Sequence, residues 1–146
     1  MNGNRVDATE RLTKAQRYLR SAELLMRDGD CESAVSRAYY GVLHAAKALL
    51  ITYGRLEVEG WKTHVQVLNT CAQEDRRYTW FQGIRPLRGV RDLQRSLATF
   101  LAQRRDADYE VGKVTATDGQ EALRFARALI RRVEEKIHER ERQTES

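Results

Sequence analysis

The sequence is short of the residues that divide or cross-link a chain. Its 146 residues include one proline, Pro86, and nine glycines, no two of them adjacent. No Pro/Gly/Ser-rich linker or low-complexity tract breaks it, and its length suits a single domain over residues 1–146. The two cysteines, Cys31 and Cys71, stand in no CxxC or Cys/His cluster, which argues against a disulfide framework and a zinc site and for reduced thiols. There is no metal-ligand spacing, no glycine-rich phosphate loop and no nucleophile elbow, so neither a metal nor a cofactor is expected. The longest apolar-leaning run, VLHAAKALLI (42–51), is interrupted by His44 and Lys47. It falls far short of the roughly 20 residues that span a bilayer. The first residues, MNGNRVDATERL, lack the basic-then-apolar order of a signal peptide. A cytoplasmic protein without membrane association is the expectation.

What the sequence does contain is enough apolar material for one core, 41% of residues. Lysines and arginines (26) outnumber acidic residues (21), giving a net charge of +5. That excess permits attraction to phosphate, although the arginine bias of a GC-rich genome produces the same balance.

Apolar residues recur at helical spacing and nowhere with the sustained period of two that marks a strand. A first helix is expected over about 8–27, with Leu12, Ala15, Leu19, Ala22 and Met26 inward and DGD as its stop. A second, about 32–53, carries Val35, Ala38, Tyr39, Val42, Ala46 and Leu49 on one face and the polar stripe Arg37, Tyr40, His44 and Lys47 on the other. A third, about 61–73, turns Val65 and Leu68 inward. A fourth is expected over 87–104, with Val90, Leu93, Leu97, Phe100 and Leu101 buried. A fifth is expected over 118–140, entered through a capping box of Thr117 and Gln120. Residues 139–146 are expected to fray, leaving a core over about 8–138. The fold class is therefore all-α, an up-and-down bundle of four to five helices.

The chemistry concentrates in RRDADYE, residues 104–110. Leu93, Leu97, Phe100 and Arg104 follow one another at steps of four, three and four, so the guanidinium of Arg104 prolongs the buried stripe while Arg105 points elsewhere. One further turn places Asp108 on the same face, within reach of a charge-assisted hydrogen bond, with Tyr109 beside the pair. Two readings stand: a clip that locks the helix end and orients a half-buried tyrosine, or a small RNA-handling site. The stripe Arg37, Tyr40, His44 and Lys47, together with Arg105, supplies the candidate RNA-binding residues. The connector RRYTWFQGIR offers either rings on which bases stack between arginines, or a hydrophobic plug of Trp80 and Phe81.

ESAVSRAYYGVLHAAKALL (32–50), KTH (62–64) and LATFLAQRRDADYE (97–110) resemble, in that order, blocks of the small stand-alone prokaryotic members of the HEPN superfamily. The resemblance implies a bundle that forms homodimers, and a link to RNA cleavage or to a minimal nucleotidyltransferase antitoxin in toxin–antitoxin or defence modules. It implies a metal-independent endoribonuclease in which an arginine stabilises the phosphorane charge, a histidine four to six residues later moves protons, and a tyrosine follows. By position Arg104, Asp108 and Tyr109 are then the catalytic candidates. Asp108 stands roughly where the histidine belongs, and a carboxylate bonded to an arginine is a poor proton acceptor near neutral pH. His44 or His64 can serve only if the fold brings one of them to Arg104. The alternative implied is a non-catalytic dimeric interaction module, with Tyr109 as its contact or nucleotide acceptor.

Overall fold

The computed structural model describes residues 2–55, 63–110 and 112–145, and places five helices and no strand among them. These are α1 (Asn2–Arg27), α2 (Cys31–Thr52), α3 (His64–Tyr78), α4 (Leu93–Tyr109) and α5 (Ala116–Glu145). The all-α bundle anticipated from periodicity is what forms.

Helix α2 is the element every other helix packs against. From Gly41 to Ile51 all its residues except Lys47 are buried, the pattern of a helix enclosed on all sides. Its small side chains allow that enclosure: Ala34, Ala38, Ala45, Ala46 and Ala48 are buried, and Ala15 and Ala22 answer them on α1. The approach is closest at Gly41, where an added Cβ would stand 3.2 Å from the Ala15 carbonyl oxygen and 3.2 Å from Ile130 Cδ1 of α5.

Local chemistry sets the ends. Gly29, at φ +81°, stops α1. The Asp30 side chain then caps α2 by accepting from Ser33 N at 3.1 Å. Thr63 and Gln66 form a reciprocal capping box on α3. Trp61 and Lys62, expected in that helix, lie outside the described residues. Val65, expected inward, is exposed; Val67, Leu68 and Cys71 face the core instead. The phase is fixed by Thr63 at the cap, which turns Val65 to the flank.

Two boundaries differ more. Helix α4 starts at Leu93, not Leu87, because Pro86, Gly89 at φ +79° and the capping side chain of Asp92 hold 86–92 out of helix. Leu87 is still buried, its N–H donating to Ser96 Oγ at 2.9 Å, whereas Val90 is half-buried in a turn. The capping box of α5 is Thr115 with Asp118, each backbone N–H bonded to the other's side chain at 3.1 Å, in place of Thr117 with Gln120. Helix α5 continues past 140 to Glu145, where Arg140 lies 4.8 Å from the Tyr53 ring centroid and Glu141 accepts from Arg5 at 3.3 Å.

The connector between α3 and α4 is a plug. Trp80 is 1% exposed and Phe81 3%, and Trp80 stacks on Tyr78 and meets Tyr53 edge-on. Arg132 of α5 donates to the carbonyls of Trp80 at 2.9 Å and Gln82 at 2.8 Å. Trp80→Ala is expected to lower stability by about 3–5 kcal/mol through the cavity it leaves, read as a drop in the denaturation midpoint.

Candidate functional site

Helix α4 lays Leu97, Phe100 and Leu101 against the bundle, and Phe100 meets the Tyr39 ring of α2 at 5.9 Å. One turn further on, Arg104 lands over the same helix. Its guanidinium lies 5.2 Å from the Tyr39 ring centroid and 5.8 Å from that of Tyr40, both cation–π distances. Nη1 donates to Asp108 Oδ2 at 3.1 Å, and the Arg104 side chain is 13% exposed. Burial works against its charge, but the Asp108 bond and the two tyrosines outweigh it and hold the guanidinium cationic. Nε is buried without a hydrogen-bond partner among the described residues. The i,i+4 pair expected from the sequence is thus formed, on a helix that does extend the extra turn.

Tyr39 is fully buried. Burial pushes its phenol up to about 12, against the opposing pull of Arg104, so it is a neutral platform. Tyr40 is half-buried and borders an open cleft of about 550 Å³ between α1, α2 and α4, lined also by Ser33, Ser36, Arg37 and Asp108. Arg37 is exposed and lies 5.8 Å from the ring centroid of Tyr18. Arg105 is exposed and does not line the cleft. Tyr109, the last residue of α4, is 79% exposed, not half-buried as the clip reading requires.

The fold separates the two histidines of interest. His44 is 8% exposed. Its ring stacks on Tyr18 of α1 at 5.5 Å and faces Arg11 Nη1 across 3.4 Å at Nδ1. Part of the stripe expected to meet a partner or water is therefore covered by α1. His64, the first residue of α3, has its ring 5.9 Å from the centroids of both Tyr39 and Tyr40. It thus borders the two rings that hold Arg104. Sequence spacing does not show this meeting; KTH and RRDADYE are joined only by the path of the chain across α2.

Three bases on this face shift in one direction, although Asp7, and Asp108 and Glu32 of the cleft wall, add negative charge to it. Burial, then Lys47, Lys14 and Arg11, lowers His44 to about 4. Burial, Arg11 and Lys14 lower Lys47, with Asp7 opposing. Burial, Arg104 and Lys47 lower His64. Burial, reinforced by cationic side chains of α1, α2 and α4, thus lowers these three groups. Among the described residues no His/Cys/Asp/Glu group is arranged to hold a metal ion, and no helix is long and apolar enough to cross a membrane.

The His44 shift has a signed consequence. Its folded value lies below the unfolded 6.5, so the unfolded chain binds the extra proton between the two. The stabilisation is present above pH 6.5 and lost as pH falls toward 4, on the order of 3 kcal/mol. Denaturation midpoints should fall over that window in the wild type and less steeply in His44→Gln.

Comparison with known proteins agrees with the sequence blocks. The family model for the HEPN domain matches residues 8–136. A UPF0332 protein of Pyrococcus horikoshii is 53% identical over 36 residues, a stretch covering 25% of this chain and 25% of that protein. The chain thus aligns with only a quarter of that relative's length. With its family match reaching all five helices, the chain belongs to the HEPN domain family.

Proposed function

We propose that this protein binds single-stranded RNA through the Arg104 site and cleaves it without a metal, as the effector of a toxin–antitoxin or defence module. The observation that carries the reading is the state of Arg104, a guanidinium held over two tyrosine rings and bonded to Asp108, with Tyr40 and Asp108 in turn lining an open cleft. Its neighbours in space include His64 as well as Asp108. Fixed positive charge in a poorly hydrated place is what a developing phosphorane needs. A phosphate can replace the single Asp108 contact with a bidentate one. Ser33, Ser36 and Arg37 on the cleft wall offer donors to an adjacent phosphate or sugar, and Tyr40 a face for a base. In this reading Asp108 and Tyr109 organise the site, Lys47 contributes to its field, and a second copy of the chain completes the groove across a dimer axis.

The exposure of Tyr109 favours one other reading. At 79% exposed on the end of α4, its phenol is presented to solvent, as a contact or nucleotide acceptor for a minimal nucleotidyltransferase requires. In that case the module is not catalytic, and Arg104 only anchors the helix that presents the tyrosine.

Incubation with end-labelled RNA in EDTA separates the two. Arg104→Ala is expected to slow cleavage at least about 10²-fold and to reduce the salt dependence of RNA affinity by about 0.7 in log–log slope. Stability is expected to fall by about 1–3 kcal/mol, since two cation–π contacts and a largely buried charge-assisted hydrogen bond are lost. Cleavage and affinity both unchanged in a folded Arg104→Ala protein would contradict the RNA reading. Transfer of a nucleotide to wild-type protein but not to Tyr109→Phe, without RNA cleavage, would establish the second.

A further inference from the structure

We propose that a cleft along α1, lined by Lys14, Arg17 and Arg37, holds the phosphates of an RNA strand beyond the segment seated at Tyr40, so that the ligand crosses α2 as an extended single strand. The assignment rests on the RNA reading of the Arg104 site and adds a second binding surface that this site does not contain.

The two clefts are continuous through one side chain. Arg37 of α2 lines both the cleft of about 550 Å³ beside Tyr40 and Asp108 and a cleft of about 610 Å³ between α1 and α2. At their junction the Tyr18 and Tyr40 rings stand 5.8 Å apart. Tyr18 is stacked on His44 and carries Arg37 at 5.8 Å, so it seats the guanidinium and leaves Tyr40 for a base. On α1, Lys14, Arg17 and Ser21 follow one another at steps of three and four and line the second cleft. At roughly 1.5 Å per residue this stripe runs along the helix for about 10 Å. Its polar groups are therefore strung out along the groove, as a backbone of repeated phosphates requires.

The two clefts differ in charge, and the difference divides the work between them. The wall beside Tyr40 carries Glu32 and Asp108 against Arg37. Glu32 accepts from Gly112 N at 2.8 Å and Asp108 from Arg104 at 3.1 Å, so this cleft can position a strand but draws it in weakly. The α1 cleft carries Lys14, Arg17 and Arg37 against Glu10 alone. All three cations are exposed, and among the described residues none is paired with a carboxylate. Arg124, Lys113 and Lys136, by contrast, hold Glu121, Glu110 and Glu139 within 3.3 Å. Exposed cations without such partners neutralise phosphates and release their counterions, which supplies the sequence-independent part of affinity for a nucleic acid. The hydroxyls of Thr13 and Ser21 offer further donors to phosphate oxygens. The α1 cleft thus sets affinity, and the cleft at Tyr40 sets position.

The test measures binding of the full-length protein to single-stranded RNA whose 2′-hydroxyls are replaced by fluorine, which is not cut. Two lengths are used, about three and about ten nucleotides, below and within the range that single-strand grooves accommodate. The double variant Lys14→Gln, Arg17→Gln is expected to bind the longer RNA about tenfold more weakly at low salt. Its log–log slope of affinity against salt should fall by about 1.4, two phosphates at about 0.7 each. Its affinity for the shorter RNA should stay within about twofold of wild type, because that RNA fills the Tyr40 cleft alone. Lys14→Arg with Arg17→Lys, which keeps both charges, should bind both lengths as wild type does. Wild-type affinity and slope for the longer RNA in the glutamine variant would overturn the assignment, as would an equal loss on both lengths or in the charge-keeping variant. A poly-glutamate peptide that binds wild type but not the glutamine variant, while both bind RNA equally, would overturn it in favour of an acidic protein segment. Loss of RNA binding in Arg104→Ala with the glutamine variant unaffected would also overturn it, leaving the RNA reading in place. Wild-type protein that binds neither length would remove both.

Discussion

The enclosure of α2 is the constraint on which the rest of the structure depends. A helix covered on every side cannot keep its polar residues in water, so Tyr39, Tyr40, His44 and Lys47 must be placed against neighbours. Alanines and Gly41 make the enclosure close enough for this to matter, since α1 and α5 reach van der Waals contact with the α2 backbone. The tyrosine pair is thereby pressed against α4 at the level of Arg104, while His44 is roofed by Tyr18. Packing of small side chains thus fixes the geometry of the polar ones.

A second consequence is electrostatic. Burial first, and then cations on α1, α2 and α4, lower three mutually coupled groups, His44, Lys47 and His64. In low dielectric such a field is not neutralised by water. Among the described residues only Asp108 touches Arg104 with opposite charge, through one oxygen. A phosphodiester matches this arrangement in charge and in the number of oxygens it presents, which is why the RNA reading is preferred to a helix clip. The exposed phenol of Tyr109 does not fit a clip that half-buries its tyrosine, and it is the feature on which the interaction-module reading rests.

Much of this was legible in the sequence. Period 3.6 gave the helices, and steps of four, three and four put Arg104 on the stripe that reaches Tyr39. The Arg104–Asp108 bond followed from i,i+4 spacing alone. Boundaries were legible only where a signal had no competitor: the glycine stop at Gly29 was clear, whereas Thr115 and Thr117 both offer a hydroxyl and only the former faces a carboxylate three residues on. The start of α4 was misplaced because Leu87 and Val90 carry helical spacing without helical backbone. The meeting of His64 with Arg104 was not legible, since it depends on how α3 and α4 both fold back onto one pair of rings. Nor was the burial of His44, because a polar stripe on a helix does not reveal which neighbour will cover it.

The most direct measurement is the structure of the protein with a short RNA whose 2′-hydroxyls are replaced by fluorine, which keeps an RNA-like sugar and can bind without being cut. The account predicts a phosphate within hydrogen-bond distance of the Arg104 guanidinium and a base against Tyr40. An RNA seated elsewhere, with Arg104 still closed on Asp108 and covered by protein, would contradict it and return RRDADYE to the role of a helix clip.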